Sequence, residues 1–238
     1  MYDTAKHVWL NPAIEYIFNT DIIEYDIRDA GFSIIKQYHL LPEQTIRKLA
    51  GMEKGLPRHK AIGIMERDDK QLAQNLSQKF GEVRKLFIDY NKINPDNDII
   101  SVKKDAIFMI GTVKKTTFGQ IEFRPKNTYT SYLRFPNITN LELYYKDNWI
   151  DVKGIGDNTV GRHRLYMFDF LRTVIKQLEE KNPSVKRYMM NFIMQYKAHE
   201  LEDLYYLEFN SLSKDFNPLY NYQNILIPLV ELINKEIQ

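Results

Sequence analysis

Two aspartates stand out by position. Asp26 closes the apolar run Ile22-Ile23-Glu24-Tyr25-Asp26-Ile27, and Asp105 follows Lys103-Lys104 at the polar tip of a segment, Ile99 to Ile110, that is apolar on both sides. Carboxylates set at strand ends can converge on divalent cations, which activate a nucleophile and neutralise charge on a transferring phosphate. Taken singly, each is equally at home as a solvated strand-end or turn residue. The cations cluster as well. Between Ser101 and Phe135 lie seven basic residues (Lys103, Lys104, Lys114, Lys115, Arg124, Lys126 and Arg134) against Asp105 and Glu122, interleaved with Phe118, Phe123, Tyr129 and Tyr132. That mixture suits a nucleic-acid backbone, or else a lysine-rich sheet face that keeps the protein dissolved. A second basic group, Arg58, His59, Lys60, Arg67 and Lys70, falls between the two Asp motifs. It suits a triphosphate clamp, or an exposed helix end with ordinary pairs such as Glu66 with Lys70.

Composition removes the competing chemistries. The absence of cysteine excludes disulfides, thiolate zinc, iron–sulfur clusters and cysteine nucleophiles together. Five scattered histidines argue against an imidazole metal site, so a metal here is expected to be a hard, oxygen-liganded ion such as Mg²⁺. No Gly-rich phosphate loop, nucleophile elbow, zinc helix or dinucleotide fingerprint is present. His163, between Arg162 and Arg164, reads as an exposed helix start, and Glu179-Glu180 and Glu202-Asp203 read as solvated. The net charge of +2 names no partner, while 44% hydrophobic and 27% charged residues in 238 argue against disorder. Aromatic residues make up 13%, with 16 Tyr, rings that serve interfaces and base stacking as well as cores. The N-terminus lacks a signal-peptide profile, and the best apolar run, Ile225 to Ile233, is short and broken by Pro228. A cytoplasmic protein without a membrane partner is expected.

The elements that must hold the two aspartates follow from the pattern. A buried strand over Ile22 to Ile27 turns through Asp29-Ala30-Gly31 into a short helix, Phe32 to Tyr38. Leu41-Pro42-Glu43 opens another helix, and Gly51 to Lys60 reads as a basic loop. The clearest amphipathic helix runs from Asp68 to Tyr90, with Leu72, Leu76, Phe80, Val83, Phe87 and Tyr90 along one stripe. A hairpin over Ile99 to Ile110 and short strands at Gly119–Phe123, Tyr129–Phe135, Leu141–Tyr145 and Ile150–Val152 follow. Arg162 to Glu180 returns to helix, Lys181-Asn182-Pro183-Ser184 marks a boundary, and helices at Val185–His199 and Ile225–Glu236 complete the chain.

Taken in order, these motifs resemble the palm of a family B DNA polymerase. The stretch Ile23 to Ser33 is similar to that family's motif A, a strand ending in a metal-binding Asp that turns into a helix; Asp26 matches the Asp and Ser33 the final Ser. Gly31 falls where the family carries a Tyr under the incoming sugar. Ile100 to Phe108 is similar to motif C, with Asp105 as the second Asp and Lys103 where the first would be. Lys126, Tyr129 and Lys153-Gly154 resemble the Lys-Lys-x-Tyr region and its closing Lys-Gly.

The resemblance implies an α+β fold: a palm-like antiparallel sheet with flanking helices over residues 1–182, a short fingers-like helical insertion at 57–92, and a helical, thumb-like unit at 183–238. It implies template-directed nucleotidyl transfer, with Asp26 and Asp105 holding two Mg²⁺ (or Mn²⁺), Lys60 and Arg67 meeting the triphosphate, and Lys126, Tyr129 and Lys153 on the nucleic acid. The implied partners are a DNA primer–template (with RNA left open), dNTPs and a second chain supplying missing polymerase domains. Compactness and divergence point to a phage, hence host cytoplasm. Two rivals stay open: a degenerate palm that binds nucleic acid or a polymerase, and a two-metal nuclease with Asp169 as the further carboxylate.

Overall fold

The computed structural model describes residues 2–3, 6–135, 141–153, 167–201 and 225–237; His163, Gly154 to Gly156, Glu202 and Asp203 lie outside them. In chain order come β1 (Val8–Leu10), β2 (Tyr16–Ile17), β3 (Ile22–Ile27), α1 (Ala30–Tyr38), α2 (Glu43–Gly51), α3 (Leu56–Asp68), α4 (Lys70–Asn91) and α5 (Pro95–Asp98). Strands β4 (Ile99–Lys103), β5 (Ala106–Ile110), β6 (Thr117–Phe118), β7 (Ile121–Tyr129), β8 (Ser131–Arg134), β9 (Glu142–Lys146) and β10 (Trp149–Lys153) follow. Helices α6 (Met167–Glu179), α7 (Ser184–Ala198) and α8 (Ile227–Glu236) complete the described chain. The expected α+β class holds, as two antiparallel sheets with helices. No described helix is long and apolar enough to cross a membrane.

The chain divides into two units, Met1–Ala13 with Ile22–Thr128, and Ile14–Asp21 with Tyr129–Gln238. In the first, six strands lie in the order β1-β4-β5-β3-β7-β6. Alternation along β3 decides what each face does. Ile23, Tyr25 and Ile27 join Val102, Ile107, Met109, Ile121 and Phe123 in a core completed by helical residues such as Ile34, Leu49, Ile62, Leu76, Phe80 and Phe87. Glu24 and Asp26 therefore point to the other face. The Phe87 ring stacks on Phe123 with centroids 4.2 Å apart, and deleting such a buried ring costs about 3–5 kcal/mol. Pro125 sits within β7, a placement tolerated only where no partner needs its missing N–H. Strand β6 pairs no further than Glu122, and the Phe123 amide still reaches Thr116, so the open edge begins just before Pro125.

Three expectations change here. The basic loop over Gly51 to Lys60 is shorter, because α2 runs through Gly51 and α3 begins at Leu56. Helix α3 was hidden because its apolar residues do not form one stripe. The Arg124 to Thr128 stretch, with its Pro and Asn, continues β7 without a break. The boundary expected at Asn182-Pro183 is a turn between α6 and α7 inside the second unit, where Phe170 stacks on Phe192 at 3.8 Å. Both helices and α8 share one core with Leu133, Leu143 and Tyr145 of the four-stranded sheet β10-β9-β8-β2. Residues 129–135 and 141–153 thus pack with the C-terminal helices, which among the described residues cover the apolar face of that sheet.

Candidate functional site

Strand pairing brings the two aspartates together. Asp26 faces Ala106 across the β3–β5 ladder, and the Ile27 amide donates to the Asp105 carbonyl at 3.1 Å. Asp105 occupies a two-residue turn, because Lys103 pairs directly with Ala106. Such a turn needs a left-handed residue, and Lys104 supplies it at φ 47° although it is not glycine. The strain is held from two sides. The Lys104 amide donates to the His7 carbonyl at 2.6 Å, and the Lys104 carbonyl accepts from Arg84, a fully buried guanidinium on α4. Arg84 also donates to the Lys6 carbonyl at 3.0 Å and to the Tyr2 hydroxyl at 3.2 Å.

Around Asp26 the charges are densely packed. Its side chain is 13% exposed, and burial, then the nearby Asp105, pushes its carboxyl above the ordinary carboxylate value, while Lys126 and Arg124 pull the other way. Glu24, two residues earlier on the same face, is buried. It accepts from Lys126 Nζ at 3.2 Å and from Asn127 Nδ2 at 2.6 Å. Lys126 Nζ also lies 3.7 Å from Asp26 Oδ2, and Arg124 Nη2 lies 3.8 Å from the same oxygen. Burial alone would lower the Lys126 pKa, but Glu24 and Asp26 outweigh it and the ammonium is held charged.

Beyond Ile27 the chain turns through Asp29, left-handed at φ 49°, into α1. Ser33 Oγ closes the turn on the Arg28 carbonyl at 2.7 Å. A cavity of about 700 Å³ opens here, lined by Arg28, Lys36, Lys54, Arg58, His59 and Arg124, with Asp29 and Glu122 the opposing acids. Arg58, 3% exposed, pairs with Asp29, donates to the Ala50 and Met52 carbonyls and lies over the Phe32 ring. Among the described residues its Nε has no hydrogen-bond partner. Neither α1 nor α3 has a side-chain cap at its N-terminus, and Gly55, which precedes α3, lines the cavity. A smaller cavity of about 180 Å³ is lined by Gly31, His59, Lys104 and Asp105, so His59 borders both.

The residues expected at this site are distributed as follows. Asp26 and Lys126 meet on one sheet face of the first unit, and Asp105 stands in the adjoining turn, near enough to act on both electrostatically. Lys60 and Arg67 lie on α3 outside both cavity linings, and Arg67 pairs with Asp68 at 2.9 Å. Of that basic group Arg58 and His59, in the first turn of α3, line the larger cavity. Tyr129 and Lys153 belong to the second unit, where both reach Asp151 Oδ2 at 2.7 Å. Asp169, expected on an inner helix side, is exposed on α6 and pairs with Arg172. Glu24, Asn127 and Arg58 were legible only in part. The i, i+2 spacing of Glu24 and Asp26 puts them on one face, but their cations lie a hundred residues away.

Among the described residues no group of three or more acidic or imidazole side chains could by itself hold a metal ion. The donor set still fits a hard cation. Mg²⁺ characteristically takes one or two carboxylates and completes its shell with water and substrate phosphate, and the Lys126 ammonium already stands as a cation against these oxygens.

Fold and site together define an α+β protein whose first sheet carries paired carboxylates and counter-cations on one face, beside a basic cavity. The chain belongs to the family described as the bacteriophage PBS1 gene 130 protein, which matches residues 1–238. No curated protein matches it.

Proposed function

We propose that the chain is a polymerase-type palm that performs template-directed nucleotidyl transfer in the host cytoplasm, on a DNA primer–template and with dNTPs. The observation that carries this reading is the β3–β5 register, which sets Asp26 beside the Asp105 turn next to a basic, cap-free cavity. Divalent Mg²⁺ or Mn²⁺, when bound, would lower the pKa of a primer 3′-hydroxyl and neutralise the leaving pyrophosphate. The chain's own residues do the rest. Asp26 and Asp105 supply oxygen ligands, and Arg84 and His7 hold the Asp105 turn in place. Arg58, Lys36, Lys54 and the first amides of α1 and α3 offer donors to a triphosphate. A sheet with helices on one face and carboxylates on the other, reached in the order of motifs A and C, supports the family B resemblance.

Asp26→Asn and Asp105→Asn should each abolish Mg²⁺-dependent primer extension while leaving DNA binding largely intact; wild-type extension by either variant would sink the assignment. A second reading, a palm that binds nucleic acid or a polymerase chain without catalysis, is favoured by Lys103 at the family's first motif C aspartate. DNA retention with no extension by the wild-type chain would select it.

A further inference from the structure

We propose that Lys126 is a resident counter-cation of the carboxylate face, and that a divalent ion loads against it. This rests on the reading that Asp26 and Asp105 take a divalent cation, and concerns what regulates that loading. The geometry is asymmetric. The Lys126 ammonium lies at hydrogen-bonding distance from Glu24, 3.2 Å, but at 3.7 Å from Asp26, too far for a hydrogen bond. Glu24 is 2% exposed and its second oxygen accepts from Asn127 at 2.6 Å, so both of its oxygens are engaged. Among the described residues, the cations beside Asp26 are Lys126 at 3.7 Å and Arg124 at 3.8 Å, both beyond hydrogen-bonding distance.

A divalent ion can therefore approach the Asp26 oxygens without breaking the Glu24 bond, but it meets the ammonium at close range. Coulomb repulsion between unit and double charges a few ångströms apart is large even when partly screened. Lys126 also offsets part of the repulsion among Glu24, Asp26 and Asp105 when no metal is bound. The consequence is weak metal loading by the free protein, strengthened when an anionic substrate draws the ammonium away from Asp26.

The experiment is a Mn²⁺ titration of the full chain, followed by electron paramagnetic resonance. Wild type and Lys126→Arg should bind weakly and alike, and Lys126→Gln about tenfold or more tightly. Unchanged or weaker binding by Lys126→Gln, or binding by none of the three, overturns the proposal. A second measurement needs no variant: Mg²⁺ should shift the side-chain NMR resonances of Lys126 in the wild-type chain, and an unmoved signal overturns it too. Bound metal is read separately from catalysis. Tighter binding by Lys126→Gln with no wild-type extension removes the proposed function alone. Wild-type extension with unchanged affinity removes this inference alone.

Discussion

The Ile27 amide donates to the Asp105 carbonyl at 3.1 Å, tying the end of β3 to the turn between β4 and β5. That single bond sets two carboxylates, 79 positions apart in the chain (105 − 26), on neighbouring strand ends. Their mutual repulsion and burial have consequences for stability as well as chemistry.

Asp26→Asn should stabilise the protein at neutral pH. A carboxyl raised above its ordinary value of 3.8 is less favourable ionised in the folded than in the unfolded chain. The penalty is present at neutral pH and fades as pH falls through that raised value and below 3.8. Thermal melts should show a gain of about 2–4 °C at neutral pH that shrinks on strong acidification. A loss of stability at neutral pH would contradict the charge balance described.

Arg84→Met should be far more costly. It leaves the Lys6 and Lys104 carbonyls and the Tyr2 hydroxyl without their donor inside a packed core. The expected loss is about 3 kcal/mol or more in urea unfolding. Tyr2→Phe removes one of these partners and should cost only about 1 kcal/mol.

His7 makes the first unit acid-sensitive. Burial, then the positive Arg84 and Lys104, lower its pKa from 6.5, against a smaller opposing effect of Glu66, and its Nε2 pairs with Ser77 Oγ at 2.6 Å. A lowered folded pKa means that the unfolded chain takes the proton first. The contribution is therefore complete above 6.5, declines as pH falls from there toward the folded value, and then levels off. His7→Gln should flatten this part of the stability–pH curve, read from urea midpoints across the window.

Cavity residues should outrank the sequence-expected cations for nucleotide binding. Lys54→Ala and Arg58→Gln should each weaken dNTP affinity by about tenfold, the worth of one charge-assisted hydrogen bond. Lys60→Ala and Arg67→Ala, outside the cavity linings, should leave it nearly unchanged in calorimetry. The reverse order would return the triphosphate to the outer face of α3.

The sequence by itself determined the strands that carry the aspartates. Local alternation and the Lys104-Asp105 turn are encoded within a few residues, as are the stripe of α4 and its Asp69 cap, which accepts from the Gln71 and Leu72 amides at 2.9 and 3.1 Å. The absence of cysteine likewise excluded thiolate-bound metals before any fold was known. Only the tertiary structure decided who stands beside whom. Strand order put β7 next to β3, and so set Lys126 beside Glu24. Helix packing chose Arg58 over Lys60, because facing depends on where a helix begins. The chain divides at Thr128, where the apolar face of the second sheet pairs with the C-terminal helices. Such long-range pairings leave no periodic trace in the segments they join.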